Sequence, residues 1–201
     1  MATKCYKLTT QNNFTMKKTL WGENVSHSVS GEGELCSAAG WLHAYSHPLL
    51  AVLLNPIHAN IKNPKLWEAY GSGLKKSDHG LKLGFTKLTT KKEIALPVIT
   101  DTQKIAFAIL CALEVCKEPR FVTWANNWLS GKDRTADAAA YAAYDAAYAA
   151  YAAYAAKNAA KAAENARYAA KDYYNVYIAT AANNVNNDID LIKLAKKAMK
   201  Y

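Results

Sequence analysis

Between Ala136 and Lys171 the chain is written almost entirely in alanine and tyrosine, with Tyr141, Tyr144, Tyr148, Tyr151 and Tyr154 three or four residues apart. That spacing sets the tyrosines on one face of a helix. Alanine has the highest helix propensity, and neither proline nor glycine interrupts the stretch from Thr135 to Tyr201. A continuous helix from Thr135 to Ala182 would be roughly 70 Å long at ~1.5 Å per residue. A small domain cannot bury such a rod. It must pack along a partner helix, fold back at a break, or stand exposed, and the almost heptad tyrosine face predicts a homo-oligomer built on that face.

The 201 residues leave room for one compact domain and an extension, and composition breaks near Gly131. The formal charge of +9 divides into +6 for residues 1–97, +1 for 98–134 and +2 for 135–201. The positive excess in the first part favours an anionic partner over a basic one. Cys5, Cys36, Cys111 and Cys116 form no C-x-x-C pair and no metal-ligand spacing, which reads as reduced thiols in the cytoplasm. No apolar core follows the first lysines, so no secretory signal is expected. A membrane span in the Ala/Tyr run is rejected, since Asp145 alone would cost about 2.5–3.5 kcal/mol at a bilayer centre.

Residues 1–97 are punctuated as a small β-rich unit. Lys4–Leu8, Glu34–Cys36, Lys65–Gly71 and Leu81–Leu88 are expected strands, the last two separated by a turn running from Gly71-Ser72-Gly73 to Gly80. The apolar run Leu49–Leu54 is too short for its periodicity to separate helix from strand. A helix is expected over Thr102–Lys117, started by a Thr100/Gln103 capping box and buried along Ile105, Ile109, Ala112, Leu113 and Cys116. Pro119 opens another helix and Gly131 ends it, with Phe121, Trp124 and Trp128 on one side as core. Asn183 to Asn187 can break the long helix, and Asp188 then caps a last one with Ile189, Ile192, Ala195 and Met199 inward.

Five histidines and four cysteines offer no settled chemistry. His43 and His47 are four apart, but Pro48 biases His47 away from helix and no Glu lies between them as in a metalloprotease helix. Cys36 with His43 is the best nucleophile and base on offer, against the commoner role of cysteine as a small buried apolar residue. Gly71-Ser72-Gly73 lacks the Gly-Lys-Ser/Thr ending of a phosphate-binding loop. The Ala-rich helix has no lysine or arginine between Thr135 and Tyr154 with which to release counterions, so nucleic acid is a less favoured partner.

Glu34-Leu35-Cys36 followed by Gly40-Trp41-Leu42-His43 resembles the signature of an uncharacterised domain of bacteriophage and prophage accessory proteins. Cys5-Tyr6-Lys7, Trp21-Gly22-Glu23, Pro48-Leu49, Trp67-Glu68-Ala69 and Leu88 through Pro97 follow its order, over about the first 97 residues. Members often continue into Ala-rich tails. The resemblance implies a phage accessory protein and brings no activity with it. The short strands with a Gly-aromatic-His segment also resemble ADP-ribosyltransferase-like domains, in which such a segment lines a dinucleotide cleft. The chain lacks the ordered Arg or His, Ser-Thr-Ser and Glu series of that centre.

The expected architecture is therefore α+β: a β-rich recognition domain with two packing helices over residues 1–131, then a long Ala/Tyr-rich helix and a short final helix over 132–201. The expected function is non-enzymatic, a phage protein that inhibits a host defence factor by sequestering an anionic nucleotide or an acidic protein face. The candidate ligand-binding residues are Trp41, His43, Tyr45, Lys75, Lys76 and His79. No catalytic residue, metal or cofactor is assigned. The alternatives are a nucleotide-acting enzyme and a structural scaffold component.

Overall fold

The computed structural model describes residues 1–15, 19–35, 40–78, 80–115, 117–135 and 189–201. The Ala/Tyr run, with Tyr141, Tyr144, Tyr148, Tyr151 and Tyr154, lies outside the described residues, as do Cys36, His79 and Cys116. By contact the chain divides into two compact units, Met1–Val98 and Ile99–Tyr201, so the two helices that follow the β unit group with the C-terminal part. The change of composition had suggested residue 131. The chain is α+β, an antiparallel β-rich region followed by helices.

The first unit is built on two long strands, β6 (Lys65–Asp78) and β7 (Lys82–Ile94), which pair antiparallel along most of their length. On the other edge of β6 lies β1 (Thr3–Thr9), from Thr3 opposite Gly71 to Thr9 opposite Lys65. The free edge of β7 takes two short strands in turn, β4 (Ser26–Ser28) against Lys87–Thr89 and β5 (Leu42–Ala44) against Leu83–Phe85. Just past β5, Tyr45 exchanges two backbone hydrogen bonds with Tyr6, each 2.8 Å, which joins β5 back to β1. The strands β1, β6, β7 and β5 thus close into a ring. Its interior is filled by Cys5, Leu42, Ala44, Ala69, Leu83, Phe85 and Leu88. Trp21, 2% exposed, follows the small hairpin of β2 (Phe14–Thr15) and β3 (Thr19–Leu20) and joins the same core.

The segment Gly71 to Gly80, expected as a turn, is strand for most of its length. Leu74 and Gly73 form a bulge opposite Thr86: Gly73 takes a φ of 77°, a left-handed conformation that glycine adopts without strain, and Thr86 Oγ1 accepts from Leu74 N at 2.9 Å. The reversal comes later, where Leu81 N donates to Asp78 O at 2.7 Å. Glu34 and Leu35 are not strand either; the strand of that region is β5, six residues on. The apolar run at Leu49 proves to be helix α1 (Pro48–His58), with proline in its first turn and His47 Nδ1 accepting from Leu49 N at 3.2 Å. This helix packs on β1.

In the second unit, α2 (Asp101–Val115) begins with the expected capping box, Thr100 N to Gln103 Oε1 at 3.0 Å and Gln103 N to Thr100 Oγ1 at 3.2 Å. Helix α3 (Pro119–Ser130) is capped by Glu118 at its start and by Gly131 at its end. Phe121 and Trp128 are buried, as expected for core aromatics, and Trp124 is half-buried. The last helix, α4 (Leu191–Ala198), is capped by Asp190, whose carboxylate accepts from Lys193 N at 2.9 Å. It buries Leu191, Leu194, Ala195 and Ala198 against α2; of the expected inward stripe of Ile189, Ile192, Ala195 and Met199 only Ala195 is buried, Ile189 lies before the helix, and the cap is Asp190, two residues past the expected Asp188. Starting the helix after Asp190 puts Leu191 and Leu194 on the inner side with Ala195 and Ala198. Among the described residues no helix is long and apolar enough to cross a membrane.

Candidate functional site

Strand alternation sorts the candidate residues. Leu42 and Ala44 point into the ring, so Trp41, His43 and Tyr45 share the opposite face of β5. His43 is paired with Gly84 and Gly84 with Lys76, which brings Lys76 onto that face too. Trp41, His43, Tyr45 and Lys76 are therefore brought together.

Each is already engaged. Trp41 is buried, its Nε1 donating to Gly33 O at 2.9 Å. Lys76 Nζ donates to the same carbonyl at 3.0 Å and lies 5.1 Å above the Trp41 ring, a cation–π contact. His43 Nε2 is 2.6 Å from Leu35 O; a carbonyl only accepts, so this nitrogen carries the proton. Burial lowers the His43 pKa, with the Leu35 bond opposing, and the ring is held neutral. Tyr45 Oη stands 3.3 Å from His58 Nδ1 at the end of α1, with the two rings stacked at 5.7 Å. Burial raises the Tyr45 pKa and brings that of His58 down to about 4. These contacts pin the 31–35 loop and the end of α1 to the strands. Lys75 is exposed at the far side of the bulge, opposite Phe85.

On the inner face stands a group that was not among the expected site residues. Lys7 alternates with Cys5 and is only 8% exposed. Its Nζ donates to His43 O at 2.7 Å and lies 4.9 Å over the Trp21 ring. Burial brings the Lys7 pKa down to about 8, and burial pushes the Cys5 thiol up to about 12, against the opposing pull of the Gly71 amide and Lys7. A protonated thiol with no exposed surface is not a nucleophile. The signal for Lys7 was available in the alternation of Cys5, Lys7 and Thr9, which sets a charged residue at an inward position.

Among the described residues no three His, Cys, Asp or Glu side chains are grouped to hold a metal ion. Along β6 and β7 seven lysines, 65, 75, 76, 82, 87, 91 and 92, stand against three acids, Glu68, Asp78 and Glu93; Glu68 pairs with Lys4 and Glu93 with Lys65, and Asp78 lies directly across from Lys82. The fold and the site together define a small ring-closed β unit whose cations are concentrated on one hairpin. No family model matches the chain, and no curated protein or solved structure is significantly similar to it.

Proposed function

We propose that the β unit is a non-enzymatic binding module for an anionic partner, presented by the β6–β7 hairpin. The observation that carries this reading is the excess of lysine along that hairpin, seven against the three acids Glu68, Asp78 and Glu93. Cations in excess on one rigid hairpin add their fields, which speeds encounter with an anion and makes binding salt-dependent. A protonated Cys5 thiol and a His43 ring committed to a backbone carbonyl favour binding over turnover. The resemblance of Glu34-Leu35-Cys36 and Gly40–His43 to phage accessory domains supports a role in the cytoplasm of an infected bacterium, as an inhibitor of a host factor that recognises or is itself an anionic species. The three- and four-residue spacing of Tyr141, Tyr144, Tyr148, Tyr151 and Tyr154 in the sequence supports self-association, which light scattering tests directly: a strict monomer at tens of micromolar rejects it.

The binding test is elution from a polyanionic heparin matrix. Wild type is expected to be retained at low salt and released as salt rises, and Lys75→Glu with Lys82→Glu to elute much earlier. Lys76 is left intact because it holds Trp41. Flow-through of the wild type at low salt overturns the reading. Measurable turnover of a nucleotide would move the protein to the enzyme class.

A further inference from the structure

The ring has an outer face that α1 covers only in part. Alternation along β1 sets Lys4 and Tyr6 outward, and their partners on β6 are Tyr70 and Glu68. The contacts agree: Lys4 Nζ is 2.9 Å from Glu68 Oε2, and Tyr70 O–H donates to Glu68 Oε1 at 3.3 Å. Glu68 is opposite Lys92 on β7, and by the same parity Lys87, paired with Ser28 and Ser72, faces outward two rungs on. Both lysines are exposed, and Tyr6 and Tyr70 are half-exposed.

Tyr6 and Tyr70 are diagonal neighbours on paired strands, a relation that sets residues about 7–8 Å apart. Two phenol rings at that interval on a rigid sheet, flanked by cations, are what successive unstacked bases need: a π-face under each base and a positive charge beside each phosphate. The one acid on this patch, Glu68, is neutralised by Lys4 and is an acceptor suited to an exocyclic amine of a base. A flat acidic protein surface would satisfy the lysines but leave the ring faces unused, and duplex nucleic acid would hide its base faces from them. The geometry points to single-stranded nucleic acid as the anionic partner, stacked on Tyr6 and Tyr70 with Lys87 and Lys92 at its backbone. This deepens the binding reading above and rests on it.

The test is fluorescence anisotropy of a labelled oligothymidylate of about twenty nucleotides, longer than a site of ~4–16 nucleotides. Expected is saturable binding at low salt, weakened about tenfold by Tyr6→Ala or by Tyr70→Ala and preserved by Tyr6→Phe and Tyr70→Phe. Lys87→Ala with Lys92→Ala should reduce the slope of log K against log salt by about 0.7 per lysine. If the alanine variants lose their fold, ultraviolet cross-linking of the wild type to an iodouridine-substituted strand decides: adducts on the peptides carrying Tyr6 or Tyr70 support the inference and adducts only elsewhere overturn it. Unchanged affinity in folded alanine variants overturns it, as does equal competition by a duplex of the same length. Retention on heparin without binding of the single strand leaves the anionic reading standing and rejects this partner; failure of both rejects both.

Discussion

Lys7 carries its charge into the ring at a cost. Its pKa is brought down from 10.5 to about 8 by burial, so between those values the unfolded chain binds more protons than the folded one and stability contributed by Lys7 rises with pH. Below about 8 the buried charge costs on the order of 3 kcal/mol relative to a neutral amine. Cys5 and Tyr45, with raised pKa values, act in the opposite sense at alkaline pH. The clean measurement is therefore the difference in urea-unfolding free energy between wild type and Lys7→Met. Met should be more stable near neutral pH, and its advantage should shrink from about pH 8 to 10.5. A constant difference across that range would show that Lys7 titrates normally. His58 acts on the acid side. Its pKa falls from 6.5 to about 4 on burial, so its contribution is whole above 6.5 and is lost as pH drops toward 4, with His43 shifted in the same direction. His58→Phe keeps a ring on Tyr45 and should flatten that acid decline; an unaltered slope would place the titration elsewhere.

At the scale of elements, Gly71 of β6 leaves the space that the Phe85 ring of β7 fills inside the ring. A Cβ there would stand 2.3 Å from Phe85 Cγ, and Phe85 is 1% exposed, so the ring has nowhere to go. Gly71→Ala should destabilise by about 1–3 kcal/mol in urea unfolding; a neutral result would mean the strands can part there. This position also explains what was legible beforehand. Glycines at 71 and 73 look like a turn because a turn is their commonest use, whereas here one makes room for a ring and the other forms a bulge. Local signals were read well where the chemistry is local: the Thr100/Gln103 box and the Pro119 and Gly131 ends of α3 each need only a few neighbouring residues. The gathering of Trp41, His43, Tyr45 and Lys76 on one face is set by pairing across β7, and neither that nor the partners each side chain finds is written in any short window of sequence.

For the whole molecule, the division at Val98 carries a prediction of its own. The ring, its Trp21 plug and α1 use only residues before that point, so a fragment of residues 1–98 should fold alone. Its near-ultraviolet circular dichroism should retain the signals of Trp21, Trp41 and Trp67, all buried in side-chain contacts of this unit. A featureless spectrum would show that the unit needs the residues beyond Val98 in order to fold.

The pairing of the first strand with the sixth has a consequence during synthesis. Cys5 finds its partner only at Ala69, and the seam at Tyr6 only at Tyr45. At ~5–20 residues per second, β1 leaves the ribosome several seconds before β6 exists. For that interval a strand with an open edge waits for most of its partners, a state in which a nascent chain is open to pairing with a neighbour or to capture by a chaperone. Tyr45 comes about twenty residues before β6, so the seam at Tyr6 can form first, but the ring is complete only once β6 and β7 have been made.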